Sequence, residues 1–212
     1  MKYNTVLFDL DGTLTDPKIG ITRSFAYALE RFGIRRDPDT LTAVIGPPLK
    51  DSFIDLFGFS DVDAEKAVWV YREYFSETGI FENTLYDGIP ELLSDLKTKG
   101  FRIAVASSKP TVFVNKILSH FGIDVYFDAV VGSELDGRRT DKKEIITEVF
   151  RLLDVEKSQV VMIGDRKYDI IGAGEFGIDS VGVLWGYALP GEFDGADHIA
   201  ASVKELEEIL TK

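Results

Sequence analysis

The sequence contains no cysteine among its 212 residues. This absence excludes disulfide bonds, thiolate catalysis and cysteine-ligated zinc. Histidine is also scarce, because only His120 and His198 are present, and no G-x-S-x-G element occurs. A Ser-His-Asp hydrolase is therefore disfavoured. Any nucleophile has to come from Asp, Glu, Ser, Thr, Lys or Tyr.

Long apolar runs and a surplus of positive charge are also missing. No apolar stretch approaches the roughly 18–20 residues that span a bilayer. The first residues, with Lys2 before a short run interrupted by Asp9, do not resemble a signal peptide. The net charge of −12 argues against a nucleic-acid-binding surface. A phosphate ligand would need a metal ion and a few well-placed cations. We expect a cytoplasmic protein with no nucleic-acid or membrane partner.

The most informative segment lies near the start of the chain. Residues 6–8 are an apolar run, and residues 6–10 look like a buried parallel strand with Asp9 and Asp11 at its carboxyl end. Side chains alternate along extended backbone, so these two carboxylates leave the same side. Gly12 permits a tight turn and Thr13 can hydrogen-bond within it. The pattern suits Mg²⁺ and phosphate, since hard cations prefer oxygen ligands. The alternative is an acidic turn with an Asp helix cap.

Residues 9–16 (DLDGTLTD) resemble the nucleophile motif of the haloacid dehalogenase superfamily, and of its phosphatases in particular. The resemblance implies covalent phosphoryl transfer through Asp9, with Asp11 as the acid and base. It also implies Mg²⁺ held by Asp9, the Asp11 carbonyl and Asp165. Three further motifs are expected, each at the end of a strand.

The remaining chain divides into two patterns. Residues 16–83 show helical spacing without a convincing strand, whereas apolar runs at 101–106, 129–131, 160–163 and 180–184 alternate with helical segments. Such alternation predicts a doubly wound, Rossmann-like parallel sheet with its site at the carboxyl ends of the strands. We predict an α/β core of residues 1–15 and 84–212, with a small helical-bundle cap domain inserted at 16–83.

Ser107 and Ser108 follow the second core strand and are expected to open a helix, where a hydroxyl and backbone N–H groups form an anion site. A plain serine N-cap is the alternative. In the superfamily pattern Ser107 matches the phosphate-binding hydroxyl. Lys142 and Lys143 lie in the first turn of a predicted helix, where cations oppose the helix dipole. A lysine aimed at phosphate explains them. Lys142 aligns best with the family lysine, and Lys143 stays open as the alternative.

A fourth motif ends the strand at 160–163. Gly164 and Asp165 follow it, and Asp169 lies one helical turn further on. Taken alone, Asp165 could simply cap the next helix. The segment resembles the superfamily's fourth motif, which implies Asp165 as metal ligand and Asp169 in support, so the predicted metal site comprises Asp9, Asp11, Asp165 and Asp169. Nearby residues 172–177 match G-x-G-x-x-G but do not begin at a strand end, which a dinucleotide fingerprint requires. Small residues that let a helix approach the sheet are the better interpretation.

Taken together, the motifs most resemble the phosphoglycolate phosphatase-like branch, which also contains nucleotidases and phosphosugar mutases. The resemblance implies a phosphatase acting on a small phosphorylated metabolite, as a monomer or weak homodimer. A 5′-nucleotidase, a β-phosphoglucomutase-like mutase and a non-catalytic module are the alternatives. The implied catalytic and phosphate-binding residues are Asp9, Asp11, Gly12, Thr13, Ser107, Ser108 and Lys142.

The inserted domain is expected to sort substrates. In related phosphatases a loop of the cap lies over the active site, and residues 45–49 (IGPPL) are the candidate here. A rigid connection between two short helices is the alternative. Replacing Leu49 or Phe53 with Ala is expected to change the preference among phosphomonoesters.

Overall fold

A computed structural model describes all 212 residues and divides them into two compact units. One unit comprises Met1–Asp16 and Leu85–Lys212, and the other comprises Pro17–Thr84. Both junctions fall one residue after the boundaries expected from the sequence.

A six-stranded parallel sheet is the centre of the first unit. Its strands are β1 (Thr5–Phe8), β4 (Arg102–Pro110), β5 (Ala129–Ser133), β6 (Val160–Gly164), β7 (Asp179–Val183) and β8 (His198–Ala200). The order across the sheet is β5-β4-β1-β6-β7-β8. The short strands β2 (Thr15–Asp16) and β3 (Thr84–Leu85) form a separate two-stranded sheet. The flanking helices are α4 (Ile89–Thr98), α5 (Thr111–His120), α6 (Lys142–Leu152), α7 (Lys167–Phe176) and α8 (Val203–Thr211).

The position of β1 explains why its residues are so apolar. All four residues are buried, because β1 pairs in parallel with β4 on one side and β6 on the other. Leu7 is in register with Ala104 and Met162, and these three pack in one core with residues of α6 and α7. Since side chains alternate, Asp9 leaves the strand on the same side as Leu7 and so on the side of α6.

The strand order also decides where a site can form. From β1 the chain runs outward on one side through β4 and β5, and on the other through β6, β7 and β8. The order therefore reverses next to β1, where open α/β sheets bind their ligands. The segments that follow β1 and β6, together with the end of β4, carry three of the four predicted motifs.

The second unit is helical and has an aromatic core of its own. Its helices are α1 (Lys18–Arg31), α2 (Leu49–Phe57) and α3 (Asp61–Phe75). Phe25 lies at the centre, with ring centroids 4.6 Å from Phe53 and 5.2 Å from Tyr71. All three side chains are buried. Phe53 is therefore part of this core.

The predicted fold class is confirmed: the core is a doubly wound parallel sheet with flanking helices. The structure differs from the sequence-based expectation in one missed strand and one misplaced helix start. Strand β8 was not predicted, and β4 continues to Pro110, so α5 begins at Thr111 instead of at Ser107. Ser107 thus lies in extended backbone and not at a helix N-terminus. None of the helices has the length and apolar character needed to cross a membrane.

Candidate active site

Three carboxylates come together beyond the ends of β1 and β6. Oxygen atoms of Asp9, Asp165 and Asp169 lie within 4.8 Å of one another. Asp165 is almost fully buried, and its Oδ2 accepts a hydrogen bond of 2.8 Å from the backbone N–H of Tyr187. Burial, and then the charges of Asp169 and Asp9, raise the pKa of Asp165 to about 8. Burial and mutual repulsion both destabilise these carboxylates in their ionised form, and a nearby cation would stabilise it.

The donor set fits a small hard cation. Asp165 Oδ1 and Asp11 Oδ1 are buried and have no hydrogen-bond partner. A buried carboxylate oxygen without a partner is costly unless something positive contacts it. All available ligand atoms are oxygens, which suits Mg²⁺. Asp9, Asp165 and Asp169 are the carboxylates whose oxygens lie close enough together to hold it.

Lys142 occupies the space between Asp9 and Asp169. Its Nζ lies 3.0 Å from Asp9 Oδ1 and 2.7 Å from Asp169 Oδ1, and it donates a 2.8 Å hydrogen bond to the Ala106 carbonyl. Burial works to lower the pKa of Lys142, but the two carboxylates raise it above its usual value. Lys143, by contrast, is exposed and lies 3.9 Å from Glu175. Of the two candidate lysines, only Lys142 enters the carboxylate cluster.

Asp169 contacts the site through other residues. Its Oδ2 accepts a hydrogen bond of 3.2 Å from the Arg166 backbone N–H, while Oδ1 contacts Lys142. Both oxygens are therefore engaged by the protein. Asp169 is therefore better placed to orient Lys142 than to bind a cation directly.

Asp11 is paired with a residue that the sequence argument did not single out. Its Oδ2 accepts a hydrogen bond from Lys109 Nζ, and the Lys109 side chain is 8% exposed. Burial raises the pKa of Asp11, although Lys109 works in the opposite direction. A raised pKa suits a carboxyl group that has to carry a proton. If residues 107–110 are taken as part of the strand, Ser107 and Lys109 lie on the same side of it. That alternation is the sequence signal that identifies this lysine.

The remaining predicted residues are Gly12, Thr13, Ser107 and Ser108. Gly12 has a φ of +83°, and a Cβ atom there would lie 2.1 Å from Asp165 Oδ2, so both its conformation and its packing require glycine. The Thr13 hydroxyl is buried without a hydrogen-bond partner. Ser107 is buried, and its hydroxyl accepts a 3.3 Å hydrogen bond from the Lys109 backbone N–H. Ser108 points elsewhere, since its hydroxyl donates to the Thr140 carbonyl at 3.4 Å.

This geometry defines an α/β protein with carboxylates for a cation and buried lysines beside them. A sequence-family model described as haloacid dehalogenase-like hydrolase matches residues 6–183. The chain belongs to this family and is a phosphatase, as predicted. Members of the family generally use Mg²⁺, and the carboxylate cluster is able to bind a metal.

Several relatives are similar over nearly the whole chain. A 5′-nucleotidase from Pseudomonas aeruginosa is 44% identical, over 99% of this chain and 96% of that protein. The tyrosine-protein kinase PtkA from Mycobacterium tuberculosis is 40% identical, over 97% and 72%. A phosphoglycolate phosphatase from Colwellia psychrerythraea is 32% identical, over 86% and 84%. The crystal structure of a predicted phosphatase from Clostridium acetobutylicum has a TM-score of 0.95, with 46% identity and 99% coverage of both chains.

Proposed function

We propose that this chain is a Mg²⁺-dependent phosphomonoester hydrolase that acts through an aspartyl phosphate on Asp9. The observation that carries the proposal is the meeting of Asp9, Asp165 and Lys142 within one buried cluster, beside an Asp11 whose pKa is raised. A nucleophile, an acid and compensating positive charge are what phosphoryl transfer by a carboxylate requires.

In the first half of the reaction an oxygen of Asp9 attacks phosphorus. The bond from phosphorus to the ester oxygen breaks, and Asp11 gives its proton to that oxygen. Lys142 keeps a positive charge beside Asp9, and Ser107 with backbone N–H groups is suited to hold the phosphoryl oxygens. Bound Mg²⁺ would neutralise charge on those oxygens.

In the second half a water molecule is the nucleophile. Asp11, now ionised, takes a proton from this water as its oxygen bonds to phosphorus. The bond between phosphorus and Asp9 breaks, which releases inorganic phosphate and restores the Asp9 carboxylate. Asp11 ends the cycle protonated, as it began.

The substrate is proposed to be a small phosphorylated metabolite. The relative named 5′-nucleotidase is 44% identical and the one named phosphoglycolate phosphatase 32%. This difference favours a nucleoside 5′-monophosphate over phosphoglycolate. The deciding measurement is kcat/KM for nucleoside monophosphates, phosphoglycolate and hexose phosphates, assayed with Mg²⁺ in one series.

The mechanism is tested by separating Asp9 from Asp11. Asp9→Asn is expected to form no phosphoenzyme and to turn over no ester. Asp11→Asn lacks only the proton transfers, which typically contribute about 10²–10⁴ in rate. A p-nitrophenyl leaving group needs little help from an acid. This variant is therefore expected to release a burst of about one p-nitrophenol per enzyme and then stall.

An alkyl phosphate supplies the matched comparison for Asp11→Asn. Its poor leaving group needs the acid before the intermediate forms, so no burst is expected. Rapid-quench detection of the phosphoenzyme checks both substrates. If Asp11→Asn turned over both esters at the wild-type rate, Asp11 would not be the acid and base.

Metal dependence is tested independently of the nucleophile. Exhaustive chelation is expected to abolish activity, and Mg²⁺ to restore it. Ca²⁺ is expected to inhibit, because it accepts 6–8 oxygen ligands in a looser geometry and can engage both oxygens of Asp9. Mg²⁺ is also expected to raise the Tm of the chelated protein, since a ligand of the folded state stabilises it. Full activity after chelation would contradict the metal assignment.

A further inference from the structure

The segment after β7 contacts both the turn that follows β1 and the carboxylate that follows β6. We call residues 184–192 the anchoring loop. The Tyr187 backbone N–H donates to Asp165 Oδ2 at 2.8 Å. The Trp185 indole N–H donates to the Thr13 carbonyl at 3.1 Å, and the Tyr187 hydroxyl bonds to Asp16. One short loop thus contacts the residues after β1 and the carboxylate after β6.

Gly186 allows this approach. A Cβ atom at this position would lie 2.3 Å from the Gly12 carbonyl oxygen, 2.4 Å from Asp165 Cβ and 2.5 Å from Asp165 Oδ2. Its φ lies outside the positive range, so the backbone conformation does not call for glycine. The reason for glycine is close packing. Any side chain would push the loop away from Asp165 and from residues 9–16 after β1, which we call the nucleophile turn.

The far end of the loop is fixed by a buried ion pair. Glu192 and Arg166 are each 8% exposed at the side chain and form two hydrogen bonds, of 2.7 and 3.0 Å. Glu192 also accepts a 3.2 Å hydrogen bond from the Leu189 backbone N–H. Arg166 directly follows Asp165 in the chain. The loop is therefore held at both ends against the segment that carries Asp165.

We propose that Gly186 and Tyr187 are positioning residues for metal binding. They fix the Asp165 carboxylate through Oδ2, by the Tyr187 N–H, and so leave Oδ1 for the cation. The side chains of Trp185 and Tyr187 keep the loop in contact with the nucleophile turn. Groups that orient a metal ligand typically change metal affinity about 10–100-fold when they are lost. The inference rests on the proposed metal-dependent function.

The test measures Mg²⁺ binding directly by calorimetry, without substrate. Gly186→Ala is compared with wild type and with Gly174→Ala, the same substitution at an exposed helical site where an added Cβ meets nothing within 4 Å. Gly174→Ala is expected to bind like wild type. Gly186→Ala is expected to bind Mg²⁺ about 10–100-fold more weakly. Its turnover of p-nitrophenyl phosphate should recover as the Mg²⁺ concentration is raised, which general damage to the fold would not allow.

The double variant Trp185→Phe with Tyr187→Phe covers the case in which Gly186→Ala does not fold. It keeps the glycine and the backbone amide and loses only two side-chain anchors, so a several-fold weaker affinity is expected. Wild-type affinity in a folded Gly186→Ala, or in this double variant, would overturn the inference and leave the proposed function standing. Absence of Mg²⁺ binding by the wild type would contradict both the inference and the proposed metal-dependent function.

Discussion

Two buried lysines compensate the carboxylates that follow β1. Lys109 bonds to Asp11, while Lys142 lies between Asp9 and Asp169. Both side chains are less than a tenth exposed. A chain of net charge −12 thus gathers local positive charge where a phosphoryl group would have to bind.

At this scale the adjacent lysines form a matched pair for experiment. Lys142→Met leaves two buried carboxylates without their partner. It is expected to lower the free energy of unfolding by about 3–5 kcal/mol and to abolish turnover. Lys143→Met removes an exposed charge, and a change within about 0.5 kcal/mol is expected. Urea unfolding and p-nitrophenyl phosphate hydrolysis check both variants. Equal effects of the two substitutions would contradict the assignment of Lys142.

At the scale of the elements, the two glycines of helix α7 have different surroundings. Gly172 is buried, and a Cβ atom there would lie 2.7 Å from both Cβ and Cγ of Lys142 on helix α6. Gly174, two residues on, faces open space. The G-x-G-x-x-G pattern therefore includes a glycine that lets α6 and α7 approach, and the helix begins at Lys167, well before the pattern.

Replacement by alanine is therefore expected to have opposite effects on stability at these two positions. Gly172→Ala is expected to displace Lys142 and reduce kcat, with a loss of about 1–3 kcal/mol in stability from overpacking. Gly174→Ala is expected to stabilise the protein by about 0.5–1 kcal/mol, because alanine is the better helix former, and to leave kcat unchanged. Thermal unfolding and steady-state kinetics measure both. An unchanged kcat in Gly172→Ala would contradict the prediction that the added methyl group displaces Lys142.

At the scale of the whole molecule, the chain consists of two compact units. The four predicted motifs all belong to the unit that contains the six-stranded sheet. Phe53 is fully buried in the aromatic core of the helical unit, so its replacement is expected to act first on stability. Leu49, at the start of α2, is only partly buried.

The two substitutions in the helical unit are therefore expected to behave differently. Phe53→Ala opens a cavity in a packed core and is expected to cost about 3–5 kcal/mol of stability. Leu49→Ala is expected to keep the stability and to change the ratio of kcat/KM between a nucleoside monophosphate and p-nitrophenyl phosphate. Differential scanning calorimetry and a substrate panel measure these effects. Equal losses by Leu49→Ala on every ester would argue against a role in substrate choice.

What the sequence determined by itself was local or periodic. The apolar run before Asp9, the two-residue spacing to Asp11 and the alternation of strands and helices follow from backbone geometry, and they predict a parallel sheet with acids at its edge. Asp165 also stands at the end of an apolar strand, but its assignment as a metal ligand came from the resemblance of residues 164–169 to the superfamily's fourth motif.

Only the tertiary structure decided which side chains meet. Lys109 reaches Asp11 because β4 lies beside β1 and remains extended to Pro110, and Lys142 rather than Lys143 enters the cluster because α6 packs against α7 at Gly172. The anchoring loop reaches Asp165 from a position 22 residues later in the chain. These contacts join segments far apart in sequence, and their partners depend on the order of the strands and on how closely the helices pack, which no local pattern of residues encodes.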